Sequence, residues 1–490
     1  MAVERRPTLV SAGLPSRRFP SPHGATPQTQ ILSNGRYTVM LTAAGSGYSR
    51  WRDLAITRWR EDATRDDTGS YVYLRDVASG KRWSAGFQPS GKAPKSYEVS
   101  FSEDRAEFNR RDGVIATRFE VVVSPGDDAE IRRVSLTNHG VRAREIEVTS
   151  YAEIVLAPAA GDAAHPAFSN LFIQTESIPS RDTLLATRRR QTPEEAEIWL
   201  AHTVAVEGET IGDLQWETDR GQFLGRGRTM RAPRAQTERG DLSRTVGSVL
   251  DPIVSLRRRV RLLPGKTVRV SFSTMVAPSR SAVLDLADKY HDVATFERIA
   301  ALAATHARLQ LHHLGIGADE ANLFQTLAGF ILYADRALRA SPDVLVRRTE
   351  GVGALWAHGI SGDRPIVLVK IDDARYIGIA RQLLRAHAYW RMKRLAVDLV
   401  VLNDGAPSHE KKLQTRLETL VRTSQSLPRP EESEAEGKVF TLRGEQVSAA
   451  QRDAGKKTAK RQLLTARKGL LRARSRAVQG RQLRVFRRPR

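Results

Sequence analysis

A long succession of short alternating segments constrains the fold of this chain more than any other feature. Between residues 31 and 277, apolar and polar residues alternate with period two in stretches such as 96–101, 131–137 and 145–151. Gly, Pro, Asn and Asp residues that favour turns separate these stretches. Such alternation buries one face of each strand and leaves the other wet, so it predicts a large antiparallel β-sandwich.

The periodicity becomes helical after Ala277. Apolar residues then recur at helical spacing, and helices are expected within residues 278–345. Ser281 is a candidate N-cap of the first helix. In the second helix, Leu302 and Leu309 belong to the predicted apolar stripe.

A third region, residues 346–447, returns to continuous apolar runs at 365–371 and 397–402. A helical stretch separates the two runs, which predicts parallel buried strands in a small α/β unit. The expected architecture is therefore α+β and multidomain: a sandwich, then helices, then the α/β unit.

The two ends of the chain differ in composition from its body. Residues 1–30 are rich in proline and predict a linker. Residues 451–490 hold 15 Lys or Arg and a single acid, Asp453, and so carry +14 of the total charge of +23. We expect the basic segment 448–490 to be disordered, because mutual repulsion opposes its compaction. The body is only mildly basic, so its charge does not favour a nucleic-acid partner.

Several classes of site are disfavoured by composition. The chain has no cysteine, which excludes disulfides, thiolate catalysis and Cys-ligated zinc. Its histidines, among them His291, His312 and His313, lack the spacing of a metal motif. We therefore expect neither a metal nor a cofactor. No apolar run is long enough for a membrane span.

A glycine-rich stretch near the N-terminus is one candidate for carbohydrate binding. Residues 45–52 combine two glycines with Tyr48 and Trp51, whose rings could stack on sugars. The alternative is a glycine-containing bend with ordinary core aromatic residues. Spacing alone leaves both interpretations open.

A second candidate is the short loop before the run at 365–371. It places Trp356, His358 and Asp363 within eight residues, interrupted by glycines. Ligands often bind at such loops. In the structural alternative, Trp356 packs against the fold, His358 bonds to the backbone and Asp363 caps a turn.

Three long strings carry a resemblance to a known family. They are YSRWRDLAITRWRED at 48–62, AHPAFSNLFIQT at 164–175 and LWAHGISGD at 355–363. With them, the chain resembles the glycosyltransferase-36 region of cyclic β-1,2-glucan synthases, which is related to family-94 glycoside phosphorylases. The resemblance implies a supersandwich of the galactose-mutarotase type and a role in glucosyl transfer and glucan metabolism.

The resemblance also implies partners and a location. These are β-1,2-glucan and the membrane glucosyltransferase and phosphorylase-like parts of a full-length synthase, at the cytoplasmic side of the inner membrane. The phosphorylases carry their general acid in a GDWNDG-like motif, which is absent here. No catalytic residue is therefore assigned, and we expect a fragment that binds or scaffolds glucan. An active phosphorylase and a purely structural spacer are the alternatives.

The segment after residue 447 departs from the family pattern, in which an apolar helix would follow. A shifted reading frame would explain its run of Lys, Arg, Gln and Ala. Nucleic-acid binding by this segment is the competing interpretation.

Overall fold

Two antiparallel sheets face each other across residues 17–277. The structure is a computed structural model that describes residues 15–238, 240–334, 353–405, 410–425, 437–444 and 483–486. The sandwich strands are β1 (Arg17–Phe19), β2 (Thr29–Ser33), β3 (Tyr37–Thr42), β4 (Gly47–Trp51), β5 (Leu54–Thr57), β6 (Tyr71–Asp76), β7 (Arg82–Ser84), β8 (Ser96–Phe101), β9 (Ala106–Asp112), β10 (Ile115–Val123), β11 (Ala129–Asn138), β12 (Arg144–Pro158), β13 (Ile173–Ile178), β14 (Thr183–Arg188), β15 (Trp199–Glu207), β16 (Glu209–Asp219), β17 (Pro252–Leu262) and β18 (Thr267–Ala277).

Each sheet has nine strands. The first runs in the order β1-β8-β9-β10-β11-β18-β15-β14-β13. The second runs β16-β17-β12-β5-β4-β3-β2, and β6 pairs with both β12 and β7. Short helices lie in the connections between strands: α1 (Ala159–Ala164), α2 (Pro166–Asn170), α3 (Arg220–Leu224) and α4 (Arg234–Thr237).

The main core lies between the two sheets and comes from the predicted alternation. Phe119 of β10 pairs with Val134 of β11, and both side chains are buried in this core with Phe108. The predicted sandwich is confirmed. The linker predicted for residues 1–30 is wrong at Arg17–Phe19, which pair with β8 as an edge strand. Residues 1–14 lie outside the described residues.

Three helices follow the sandwich: α5 (Arg280–His291), α6 (Thr295–His313) and α7 (Ala318–Leu332). The N-cap of α5 is Ser279 rather than Ser281, because the Ser279 hydroxyl accepts a hydrogen bond from the Ala282 N–H at 3.2 Å. Leu302 and Leu309 are not in the core, since they are 52% and 61% exposed on α6. Where the chain is described, no helix is long and apolar enough to cross a membrane.

The predicted α/β unit is also present. Its elements are α8 (Gly353–Trp356), β19 (Ile366–Ile371), α9 (Ile377–Met392), β20 (Asp398–Asn403), α10 (Glu410–Gln425) and β21 (Val439–Arg443). Strands β19, β20 and β21 are parallel neighbours, as the apolar runs predict. The predicted fold class is therefore confirmed.

The basic C-terminal segment contributes one strand to this unit. Strand β22 (Leu483–Phe486) pairs antiparallel with β19, so that Ile366 lies opposite Phe486. The expectation of a tail apart from the fold does not hold for these four residues. The remainder of the predicted disordered segment lies outside the described residues.

The α/β unit packs against the outer face of the second sheet. Ile31, Met40 and Tyr48 turn away from the main core and join a second apolar cluster with residues of α7 and α9 such as Phe324 and Trp390. Residues of the sandwich, α7 and the α/β unit are therefore buried in one apolar cluster.

Candidate functional site

The loop of residues 355–364, here called the Trp356 loop, connects α8 to β19. Its backbone folds back on itself: the N–H groups of His358 and Ile360 donate to the Leu355 carbonyl at 3.0 and 3.1 Å. Gly359 has φ of +71°, a left-handed conformation that side chains other than glycine rarely adopt. The glycine that interrupts this loop is thus required by its turn.

Apolar side chains hold the Trp356 loop on the sheet. Ile360 is buried with Ile366 and Val400, and Leu355 packs against the same cluster. The loop is therefore a fixed support for the side chains that project from it.

Trp356 is the most exposed aromatic residue of the described chain, with 66% of its surface accessible. Its indole Nε1 donates to the Ser361 carbonyl at 3.3 Å, within the same loop. The structural alternative, in which Trp356 packs against the fold, does not match this exposure. An exposed indole with a satisfied N–H offers an apolar face for a planar or ring-shaped ligand.

The other two residues predicted for this loop lie close to Trp356 in the chain. His358 is half-buried and Asp363 is exposed. The Asp363 N–H donates to the Ser361 hydroxyl at 3.3 Å, which shapes the end of the loop. An aromatic ring, an imidazole and a carboxylate thus lie on one short loop.

The two candidates in the glycine-rich stretch are buried. Tyr48 is 3% exposed and lies edge-on to Trp59, with ring centroids 5.5 Å apart. Trp51 is 6% exposed, and its Nε1 donates to Asp128 Oδ2 at 2.7 Å. Neither ring offers a face to a sugar, so the structure corrects this expectation in favour of core packing.

The glycines of that stretch have a packing reason. Gly47 has φ of +149°, and a Cβ added there would lie 1.8 Å from the Met40 carbonyl oxygen. Only glycine allows β3 and β4 to approach so closely at this position. The turn thus serves the hairpin rather than a ligand.

A buried polar cluster that the sequence does not reveal joins α7 and α9 to the sandwich. The Tyr389 hydroxyl donates to Glu103, 2.7 Å from Oε2, and Lys393 Nζ lies 3.3 Å from the same oxygen. Burial and the neighbouring Glu103 carboxylate raise the pKa of Tyr389 far above its usual value. Burial lowers the pKa of nearby Arg17 to about 10. The Glu103 carboxylate is thus paired with both Tyr389 and Lys393, and we interpret the cluster as a structural contact between these elements.

No sequence signal could have found this cluster, because its members come from distant parts of the chain. A small cleft beside it is lined by Glu103, Asp104, His306 and Gln310, among others. The His306 Nε2 atom is buried without a hydrogen-bond partner in the described residues, and burial lowers the pKa of this imidazole. Within the described part of the chain, no group of three or more His, Asp or Glu side chains is placed to hold a metal ion.

Comparison with known families settles what the sandwich is. Residues 15–293 match the family described as glycosyl hydrolase 94, supersandwich domain. The matched segment is more than half of the 490 residues. The chain belongs to the glycosyl hydrolase 94 supersandwich family.

The relatives of this supersandwich chain are named as carbohydrate-active enzymes. A cyclic β-(1,2)-glucan synthase, NdvB of Rhizobium meliloti (strain 1021), is 40% identical over 426 residues, which are 86% of this chain and 15% of the synthase. An N,N'-diacetylchitobiose phosphorylase of Vibrio proteolyticus is 27% identical over 58% of this chain and 35% of the enzyme. A solabiose phosphorylase of Paenibacillus borealis is 27% identical over 40% of this chain and 24% of the enzyme. The chain thus spans well under half the length of each of these relatives.

The supersandwich match also divides the candidate residues. Tyr48 and Trp51 lie inside residues 15–293, where Trp51 is buried in the main core and Tyr48 in the second apolar cluster. The Trp356 loop lies C-terminal to the supersandwich domain, on the α/β unit. The resemblance drawn from the sequence to glucan synthases and family-94 phosphorylases is confirmed by these relatives.

Proposed function

We propose that this chain is the supersandwich segment of a cyclic β-1,2-glucan synthase and that it binds and orients the growing glucan. The proposal is supported by 40% identity to such a synthase over 86% of this chain. The chain spans 15% of that relative. In the arrangement proposed here, other parts of the longer protein would carry out glucosyl transfer.

The exposed indole of Trp356 is the observation that carries the binding site. A pyranose ring has an apolar C–H face that packs on an aromatic ring, and a rim of hydroxyls that needs donors and acceptors. His358 and Asp363 supply such groups on the same loop as Trp356. One glucose residue of the glucan would stack on Trp356 while its hydroxyls bond to these two side chains.

The role proposed for this chain is non-catalytic. Cleavage of a glycosidic bond needs a positioned acid to protonate the leaving oxygen, and the GDWNDG-like motif that carries it in the phosphorylases is absent from the sequence. The chain would therefore hold glucan for the membrane glucosyltransferase and phosphorylase-like parts of the synthase, at the cytoplasmic side of the inner membrane. An active phosphorylase is the rival function, supported by the 27% identity to a diacetylchitobiose phosphorylase.

Calorimetric titration of linear β-1,2-glucan into the full chain tests this proposal. We expect binding by the wild type, loss of binding in Trp356→Ala, and weaker binding in His358→Ala and Asp363→Asn. Leu309→Ala is the matched control, because Leu309 is exposed to a similar degree, 61% against 66%, on a different element. No binding by the wild type would favour the structural-spacer alternative. Equal binding by all variants would mean that glucan binds outside the Trp356 loop.

A further inference from the structure

The parallel sheet of the α/β unit carries its helices on one face. Helices α9 and α10 pack there with α7, in the apolar cluster that contains Val369 and Val401. Parallel sheets are normally covered on both faces. On the opposite face, the described residues that join the strands in an apolar cluster are Leu355 and Ile360 of the Trp356 loop. That face therefore has a smaller apolar cover within the described chain than the helical face.

Three apolar side chains of this opposite face are half-buried. Leu368 of β19 and Phe440 and Leu442 of β21 pack against the cluster that contains Ile360, and each retains exposed surface. In the sheet register, Phe440 lies beside Val400, and Val400 lies beside Leu368. These side chains therefore form a continuous apolar surface across the strands. Leu368, Phe440 and Leu442 are called the Phe440 strip below.

The Trp356 loop lies on the same face of the sheet as the Phe440 strip. Leu355, which precedes Trp356 in the chain, belongs to the apolar cluster that includes Phe440. Ile360 of the same loop is buried in that cluster. The loop that carries the exposed indole is thus packed directly against the residues of the strip.

An ion pair borders the strip at the other end of β19. Lys370 lies two residues beyond Leu368, so the alternation of a strand places it on the same face. Its Nζ atom lies 2.8 Å from Asp404 Oδ2, and the two side chains are 11% and 23% exposed. Strands rise about 3.3 Å per residue, so the pair lies about 13 Å along β19 from Ile366, where the Trp356 loop ends.

We propose that the Phe440 strip is a second sugar subsite, so that the α/β unit holds an extended glucan rather than one sugar residue. This inference rests on the binding at the Trp356 loop proposed above and extends it to the length of the ligand. One sugar ring would pack on Trp356, and a later ring would pack on the exposed surface of Phe440 and Leu442. Hydroxyls of that later part of the glucan would bond to Lys370 or Asp404.

Size and charge favour a glucan over a protein as the occupant of the strip. Stable protein interfaces bury about 800 Å² on each partner, and three half-buried side chains supply a small part of that area. A sugar ring needs one apolar surface with hydrogen-bonding groups beside it. The charges of Lys370 and Asp404 offset each other, so a neutral ligand loses nothing by comparison with an acidic or a basic one.

Calorimetric titration of two ligands into the full chain tests the proposal: the β-1,2-linked glucose disaccharide and long linear β-1,2-glucan. Phe440→Leu should lower the affinity for the long glucan about ten-fold, because it removes the aromatic face while keeping an apolar side chain. Its affinity for the disaccharide should equal that of the wild type, since the disaccharide is held at Trp356. Trp356→Ala should abolish binding of the disaccharide.

Phe330→Leu is the matched control. Phe330 of α7 is also half-buried, but it packs on the cluster at the helical face of the sheet, so this variant should bind both ligands as the wild type does. Equal affinity of Phe440→Leu and the wild type for long glucan would overturn the second subsite, while disaccharide binding would still support the Trp356 site. Weaker binding of both ligands by Phe440→Leu, with a lowered melting point, would overturn it too, because Phe440 would then only support the fold. No binding of either ligand by the wild type would overturn the proposed function and this extension together.

Discussion

The side-chain amide of Gln325 bonds to Ile31 as a neighbouring β-strand would. Gln325 Oε1 accepts a hydrogen bond from the Ile31 N–H at 3.0 Å, and its Nε2 donates to the Ile31 carbonyl at 2.9 Å. Ile31 lies on β2, the edge strand of the second sheet. A single residue of α7 therefore satisfies backbone groups that an open edge would leave unpaired.

Replacing Gln325 by Leu should destabilise the protein by about 3 kcal/mol, because two buried backbone groups lose their partners. Urea unfolding measures this change. Gln382→Leu is the control, since Gln382 is only half-buried and bonds to Glu320 at 3.1 Å. Equal stability of the Gln325 variant and the wild type would show that the hydrogen bonds between Gln325 and Ile31 do not stabilise the fold.

His202 should make stability depend on pH. It is fully buried between the Ser150 and Thr274 hydroxyls at 2.8 and 2.9 Å, and burial lowers its pKa to about 3. An unfolded histidine has a pKa of about 6.5. Below that pH the unfolded chain gains a proton that the folded chain excludes, so folded stability falls as pH decreases, by about 3 kcal/mol at pH 4.

Unfolding curves of the wild type and His202→Gln between neutral pH and pH 4 check this effect. The unfolding free energy of the variant should depend less steeply on pH than that of the wild type, whatever the stability of the variant at neutral pH. Burial also lowers the pKa of His387, to about 4, so some acid sensitivity with the same sign remains in the variant. Identical slopes in the two proteins would contradict the prediction.

Trp356→Ala should leave the melting temperature nearly unchanged, because the indole is exposed and its hydrogen bond, within the described part of the chain, goes to Ser361 of its own loop. Trp390→Ala provides the contrast: Trp390 is fully buried and donates to the Phe324 carbonyl at 2.9 Å, so its loss should cost about 3–5 kcal/mol. A large fall in the melting point of Trp356→Ala would mean that this tryptophan holds the fold together.

The purified chain should release no glucose 1-phosphate from linear β-1,2-glucan and phosphate, because the GDWNDG-like acid of the phosphorylases is absent from the sequence. A coupled assay for glucose 1-phosphate measures this. Activity that persists through repurification, and disappears on mutation of one residue of this chain, would favour the phosphorylase alternative.

Local patterns predicted the fold well where neighbouring residues decide the structure. Alternation at 131–137 gave β11, and the apolar runs gave the parallel pair β19 and β20. The same reasoning gave too large a core on α6, because helical spacing identifies an apolar stripe without showing whether anything covers it. Leu302 and Leu309 fit the stripe and still lie at the surface.

Contacts between distant segments could not be predicted from the sequence. Arg17 reaches the Gln30 side chain at 2.7 Å and Thr326 at 3.3 Å, and nothing in a proline-rich stretch indicates such partners. The exposure of a side chain could not be predicted from the sequence either. Tyr48, Trp51 and Trp356 are all aromatic residues near glycines, yet of these three only Trp356 is exposed. Neighbouring residues identify an aromatic side chain, but the packing of remote elements decides whether it is accessible.

The outer face of the second sheet has a consequence for handling the supersandwich domain alone. The family match ends at residue 293, yet Ile31, Met40 and Tyr48 are covered by α7 and the α/β unit beyond it. A protein ending at residue 293 would expose this apolar face together with the free edge of β2. A free edge can pair with a strand of another molecule, and an exposed apolar face associates with other apolar surfaces. The shortened domain should therefore aggregate although its own sandwich core is intact.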